Sequence, residues 1–184
     1  AEVGLADGGD AAALADAASR YRAGDLLGAR MRAEGFEATA GSSQAVFGAV
    51  LRLATGQVEA AERLLGERTD APANALRELI ATVRGDDAEL RQRLAQPPTG
   101  ASQWLARSYA LQALDDLSGA REAAQRAVEV SPEFGYAWVR LARLDFSFDD
   151  LAAMERSLAH ARALSPLNPQ LAVLEGFLAA ADNR

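Results

Sequence analysis

Trp104 and Trp138 stand 34 residues apart, and four further pairs share that offset: Asp116 with Asp150, Leu117 with Leu151, Ala127 with Ala161, and Pro132 with Pro166. Five coincidences at one spacing define an internal repeat, and a period of this length is one supersecondary unit. Such a unit cannot bury its apolar face alone. It is stable only when stacked on its neighbours, which restricts the chain to a quasi-linear array.

Each unit reads as two helices. The first runs from about Ala101 to Leu114; Asp115-Asp116 starts the second, which stops at Ser131-Pro132. Proline cannot continue a helix and restricts the residue before it. The next unit repeats the plan, with a helix over Phe134 to Ser147, a restart at Asp149-Asp150, and a second helix to Leu164 before Ser165-Pro166.

The first half follows the same rhythm more faintly. Gly24-Asp25-Leu26 recurs as Gly56-Gln57-Val58 and Gly85-Asp86-Asp87, at intervals of 32 and 29 residues. Before these restarts lie Leu14, Ala18 and Tyr21; then Val46, Ala49, Val50 and Leu53; then Leu76, Leu79, Ile80 and Val83. Spacings of three and four place each set on one helical face. Glycine after a helix and Asp at the next start satisfy the capping rules. Gln96-Pro97-Pro98-Thr99-Gly100 is the one strong breaker, too short for a flexible domain linker.

Trp104, Ser108, Ala120, Ala127 and Pro132, and then Trp138, Ala142, Met154, Ala161 and Pro166, resemble the tetratricopeptide repeat pattern of early aromatic, small residue, two alanines and terminal proline. Met154 departs from it, standing where a small residue is usual, and predicts wider packing there. The resemblance implies an all-α chain, an α-solenoid of antiparallel helix pairs in a right-handed superhelix, with about five pairs and a terminal helix. The expected organisation is a flexible N-terminus over 1–9 and one helical repeat domain over 10–184. Within it, 10–100 holds weak repeats, 101–134 and 135–168 hold clear ones, and 169–184 is the terminal helix.

The resemblance also implies a concave groove lined by the first helix of each pair. Carried over position by position, its wall is Ser102, Leu105, Tyr109, Gln112 and Ala113, then Tyr136, Val139, Arg143, Phe146 and Ser147, extended by Gln170, Val173 and Phe177. Tyr109, Gln112, Tyr136, Arg143, Phe146 and Phe177 are the expected partner-binding residues, since Tyr and Arg in a partly desolvated groove are the usual anchors. Family members that grip a C-terminal carboxylate use Lys, Asn and Arg in these places. Leu105, Tyr109 and Val139 stand there instead, with only Arg143 suited to that work, so the groove favours a segment with hydrophobic anchors.

Other chemistry is poorly supplied. There is no cysteine and no lysine, so thiolate metal sites, disulfides, Schiff bases and P-loops are excluded. His160 is the sole histidine, with no nucleophile arranged beside it. Gly8-Gly9-Asp10 has no strand before it and reads as a loose terminus ahead of an N-cap Asp. The acid pairs Asp86-Asp87, Asp115-Asp116 and Asp149-Asp150 recur with the repeat and read as helix caps rather than as an acid and base. No enzyme activity, cofactor or metal is expected.

A net charge of -7 with arginines interleaved among acids argues against a nucleic-acid surface. No apolar run reaches the ~20 residues that span a membrane. The Ala, Arg, Gly and Leu bias points to a GC-rich, bacterial coding sequence, and a cysteine-free chain suits cytoplasm and periplasm alike. The chain opens without Met and stops where another helix would start, from which we expect a segment processed or cut from something longer. The terminal helix is apolar on more than one side (Leu171, Val173, Leu174, Phe177, Leu178), which predicts docking on a partner or a second copy. The expected function is a protein- or peptide-binding scaffold; the alternative is a structural spacer or assembly segment of a larger, envelope-associated bacterial protein.

Overall fold

Residues 8–33 and 44–182 are described by the computed structural model, and they form eleven α-helices with no strand among them. The helices are α1 (Gly8–Ala23), α2 (Leu26–Arg32), α3 (Ala45–Ala54), α4 (Val58–Leu65), α5 (Ala71–Arg84), α6 (Asp87–Leu94), α7 (Ala101–Ala113), α8 (Leu117–Val130), α9 (Gly135–Ser147), α10 (Leu151–Leu164) and α11 (Pro169–Asp182). Five consecutive pairs, α1/α2 to α9/α10, pack within themselves and against the next, and α11 packs on α9 and α10. This is the expected α-solenoid of helix pairs.

Of the expected flexible terminus, residues 1–7 lie outside the described residues. Gly8 and Gly9 already belong to α1, so Asp10 stands in its first turn instead of capping it. Glycine's helix penalty is felt mainly in a helix interior, and two glycines at the very end leave the helix free to start early.

The turn inside each pair has one geometry throughout. A residue with left-handed backbone ends the first helix: Gly24 (φ 91°), Gly56 (77°), Gly85 (68°), Asp115 (63°) and Asp149 (58°). The next residue then donates its N–H to the carbonyl five positions back: Asp25 to Arg20, Gln57 to Arg52, Asp86 to Ala81, Asp116 to Leu111 and Asp150 to Asp145, at 2.8–3.1 Å. That bond is the signature of a Schellman close. The side chains of Asp25, Asp86, Asp116 and Asp150 then accept from the N–H groups of Gly28, Glu89, Gly119 and Ala153 at 2.8–3.1 Å. The acids Asp86, Asp116 and Asp150 are therefore caps, and the weak repeats carry the same turn as the clear ones.

Small side chains occupy the crossings. Ala17, Ala29, Ala49, Ala61, Ala73, Ala106, Ala120, Ala127, Ala142 and Ala161 are all fully buried. Helix axes approach within about 8–10 Å only where such residues meet. Trp104, Leu105, Phe134 and Trp138 wedge against the cluster of Ala120, Ala124, Ala127, Val128, Ala137, Leu141 and Leu144. Met154 is fully buried in the next cluster with Val139, Ala142, Leu158, Leu171 and Leu174. The breaker at 96–100 separates a short α6 from α7, and Gln103 reaches back to accept from both the N–H and the hydroxyl of Thr99 at 2.7 and 2.8 Å.

Candidate functional site

The end of the first repeat meets the last. Helix α1 ends with carbonyls that have no partner within the helix. The Tyr136 hydroxyl donates to the Tyr21 carbonyl at 2.9 Å, the Ser165 hydroxyl to the Arg22 carbonyl at 2.7 Å, and the Leu167 N–H to the Ala23 carbonyl at 2.8 Å. The Tyr21 and Tyr136 rings stack with centroids 5.0 Å apart, and Phe47 meets Tyr21 edge-on at 5.9 Å. Gly24 sits directly against this junction; a Cβ there would lie 2.7 Å from the Asn168 Cα.

Behind the junction lies a cavity of about 420 Å³. Successive first helices supply its wall: Tyr21 from α1, Val46 and Val50 from α3, Leu76 and Leu79 from α5, Leu105 and Tyr109 from α7, and Tyr136 and Val139 from α9. None of the described residues lining it is charged. Burial pushes the Tyr21 hydroxyl up to about 12, with a smaller rise from Tyr109, and burial likewise raises Tyr136, so both stay neutral.

Beneath Tyr109 lies a buried cation that sequence reasoning did not single out. Arg140 is 1% exposed, its guanidinium 4.0 Å over the Tyr109 ring. Its Nε donates to the Ser108 hydroxyl at 2.8 Å and its Nη2 to the Ser108 carbonyl at 2.9 Å. Burial brings it down to about 10, still charged at neutral pH. Ser108, expected merely as a small residue at a crossing, thus also carries the polar link between α7 and α9.

Five of the six expected partner-binding residues fall in two places, and Gln112 in neither. Tyr109 and Tyr136 line the cavity. Phe146 and Phe177 stack on each other, centroids 5.1 Å apart and planes 13° from parallel, where α9 meets α11. Phe146 is half-buried against the second core cluster, whereas Phe177 is 45% exposed. Arg143 is exposed one turn before Phe146, on the same face of α9. Gln112 is half-buried on α7, outside the cavity wall. The groove thus has a bridged half around Tyr109 and Tyr136 and a free edge around Arg143, Phe146 and Phe177.

The wall residues of the first three pairs were legible only as apolar faces. Val46, Val50, Leu53 and Leu79 line the cavity, Ala49 and Ile80 enter a core cluster, and Val83 is 65% exposed. A three-and-four spacing marks an apolar face but does not say which neighbour it meets.

A second, polar groove of about 610 Å³ runs along the outer helices α8 and α10. Arg121 bridges Asp145 and Asp150 at 2.8 and 2.7 Å, and Ser157 donates to Asp145 at 3.0 Å. His160 stacks on Trp138 at 4.2 Å. Among the described residues no hydrogen bond joins Ser157 to His160. No cluster of three metal-ligating side chains occurs among the described residues, and no helix there is long and apolar enough to cross a membrane.

No protein-family profile and no curated protein sequence matches the chain. Among solved structures, it is similar to a chain of the crystal structure of the APC/C hetero-tetramer Cut9-Hcn1, with a TM-score of 0.56 at 14% identity. The match covers 91% of this chain and 35% of the other, so this chain spans about a third of its neighbour's length. The likeness is one of fold: the chain is a tetratricopeptide-like α-solenoid.

Proposed function

We propose that this chain is a non-catalytic scaffold that holds a protein or peptide partner on the surface formed by the first helices of its pairs. The observation that carries the reading is the open edge of that surface. Phe146 and Phe177 form a stacked apolar platform, Val173 stands exposed at 54% one turn from Phe177, and Arg143 supplies a charge on the same face of α9. A large aromatic beside an Arg is the usual composition of an interface anchor. The neighbour's place in a hetero-tetramer is consistent with this reading, and a net charge of -7 disfavours nucleic acid.

Pull-down from the source organism, with binding of each captured partner measured for the purified chain, tests the proposal. Phe177→Ala and Arg143→Ala should each weaken the specific partner by about 1–2 kcal/mol or more, whereas Arg126→Ala on the outer helix α8 should not. If both inner-face variants hold every partner as tightly as the parent chain, the assignment of the surface is wrong.

A spacer or assembly segment is the second reading. It is supported by the terminal helix, where Val173 and Phe177, with Leu167 just before it at 61% exposure, leave an apolar flank that another element could cover.

A further inference from the structure

We infer that the cavity bridged by Tyr21 and Tyr136 is a binding site for a single small, uncharged and predominantly apolar molecule. The assignment concerns the cavity around Tyr109 and Tyr136, and it stands or falls apart from the partner-binding reading, which rests on the open edge at Phe177.

Three observations identify the occupant. The first is size. At about 420 Å³ the cavity falls within the range of small-molecule pockets. The second is charge. Of nineteen arginines and twenty-six acids in the chain, none lines the cavity among the described residues. A carboxylate, phosphate or ammonium entering there would lose its hydration without a partner of opposite sign, and an uncharged molecule would not. The buried Arg140 does not change this, because the Tyr109 ring covers its guanidinium and Tyr109 itself forms the wall.

The third is closure. The three hydrogen bonds from Tyr136, Ser165 and Leu167 to the end of α1 join the two ends of the array beside the cavity. They hold the Tyr21 and Tyr136 sides of the wall together, so the space they bound has the dimensions of a compact molecule. The wall offers aromatic faces from Tyr21, Tyr109 and Phe134, with Ser102, Thr82, Asn168 and Gln170 among the polar groups able to orient a ligand. A mostly apolar wall with a few polar contacts is how small-molecule sites are commonly built.

Because Tyr21 and Tyr136 both line the cavity, an occupant touches the two ends of the array at once. Binding therefore stabilises the closed form by mass action, and weakening the closure weakens binding.

The test compares two fluorescent probes of one skeleton, neutral N-phenyl-naphthylamine and its anionic sulfonate. The neutral probe should saturate at one molecule per chain and raise the melting temperature. The sulfonate should bind at least about tenfold more weakly. Filling the cavity with Leu105→Trp or Leu79→Trp should each weaken the neutral probe by about tenfold or more while helicity by circular dichroism is kept. Tyr136→Phe should weaken it by a smaller factor. Binding at many sites per chain, equal affinity for the sulfonate, or undiminished binding by a folded Trp variant each overturns the assignment. Should neither Trp variant fold, the stoichiometry and the neutral-to-anionic ratio of the unaltered chain decide. Loss of the site as the protein is concentrated into a dimer would give the cavity to a second copy of the chain and also counts against the inference.

Discussion

The hydroxyl of Tyr136 donates to the backbone carbonyl of Tyr21, 115 residues earlier, at 2.9 Å, while the two rings stack 5.0 Å apart. In an array whose repeats mainly touch their immediate neighbours, this contact joins the first repeat to the last. It turns part of an open groove into a cavity.

Removing the closure bonds one at a time should therefore cost little locally and act at long range. Tyr136→Phe keeps the ring stack and loses one hydrogen bond, and Ser165→Ala loses another from a buried hydroxyl; each should destabilise by about 1 kcal/mol. The distinguishing readout is shape. The two changes together should increase the radius of gyration in small-angle scattering, and an unchanged radius with normal helicity would mean that the ends are held by other contacts.

Two glycines with the same left-handed backbone should respond differently to alanine. At Gly85 (φ 68°) a Cβ meets nothing within 4 Å, so Gly85→Ala should cost only the backbone preference, about 1 kcal/mol. At Gly24 (φ 91°) the same Cβ runs into the backbone of Asn168. Gly24→Ala should cost about 1–3 kcal/mol more, since backbone must move to relieve the overlap. Thermal or urea melts of the two variants measure the difference, and equal losses would show that the junction at Asn168 yields freely.

Arg140→Lys should be damaging despite keeping the charge. The guanidinium lies over the Tyr109 ring and uses two nitrogens on Ser108, and a compact ammonium cannot hold that forked pair of hydrogen bonds over the ring and is harder to strip of water. A loss of about 1–3 kcal/mol is expected in chemical denaturation. A variant as stable as the parent would show that simple space-filling suffices there.

Glu78 sets a pH dependence. It is 5% exposed on α5, and its Oε1 lies 3.8 Å from the Arg107 Nε with no hydrogen bond between them. Burial raises its carboxyl above the usual 4.5, opposed by the lesser pull of Arg107 and Arg93. A carboxyl raised by folding favours the folded state while protonated. That contribution is complete below the unfolded value and is lost as pH rises through the folded one. Glu78→Gln, neutral throughout, should therefore gain on the parent chain over the interval that begins at the usual carboxyl value of 4.5 and runs upward. A stability difference that stays flat or reverses across that interval would mean that the Arg107 pair outweighs desolvation.

The helix pairs were legible because their signals are local. A residue able to turn left-handed, an Asp that caps the next N–H groups, and alanines at the crossings act within a few positions of one another. The turn signal was present, if fainter, at Gly24-Asp25 and Gly85-Asp86, and clear at Asp115-Asp116. The groove wall of α7 and α9 was carried over from the family resemblance, and Tyr109 and Tyr136 from it both line the cavity. Asp10 was misjudged as a cap because the two glycines before it suggested a loop, and in the fold they begin the helix.

Period and capping by themselves determined that this chain stacks antiparallel helix pairs, since both are properties of adjacent residues and repeat with the unit. Only the tertiary structure decided where the array bends far enough for Tyr21 to meet Tyr136, which side of each apolar face lines a cavity, and that Ser108 holds a buried Arg140. Superhelix curvature is the sum of small rotations at every interface. Each rotation depends on how side chains of particular volumes interlock, and no short window of sequence contains that sum.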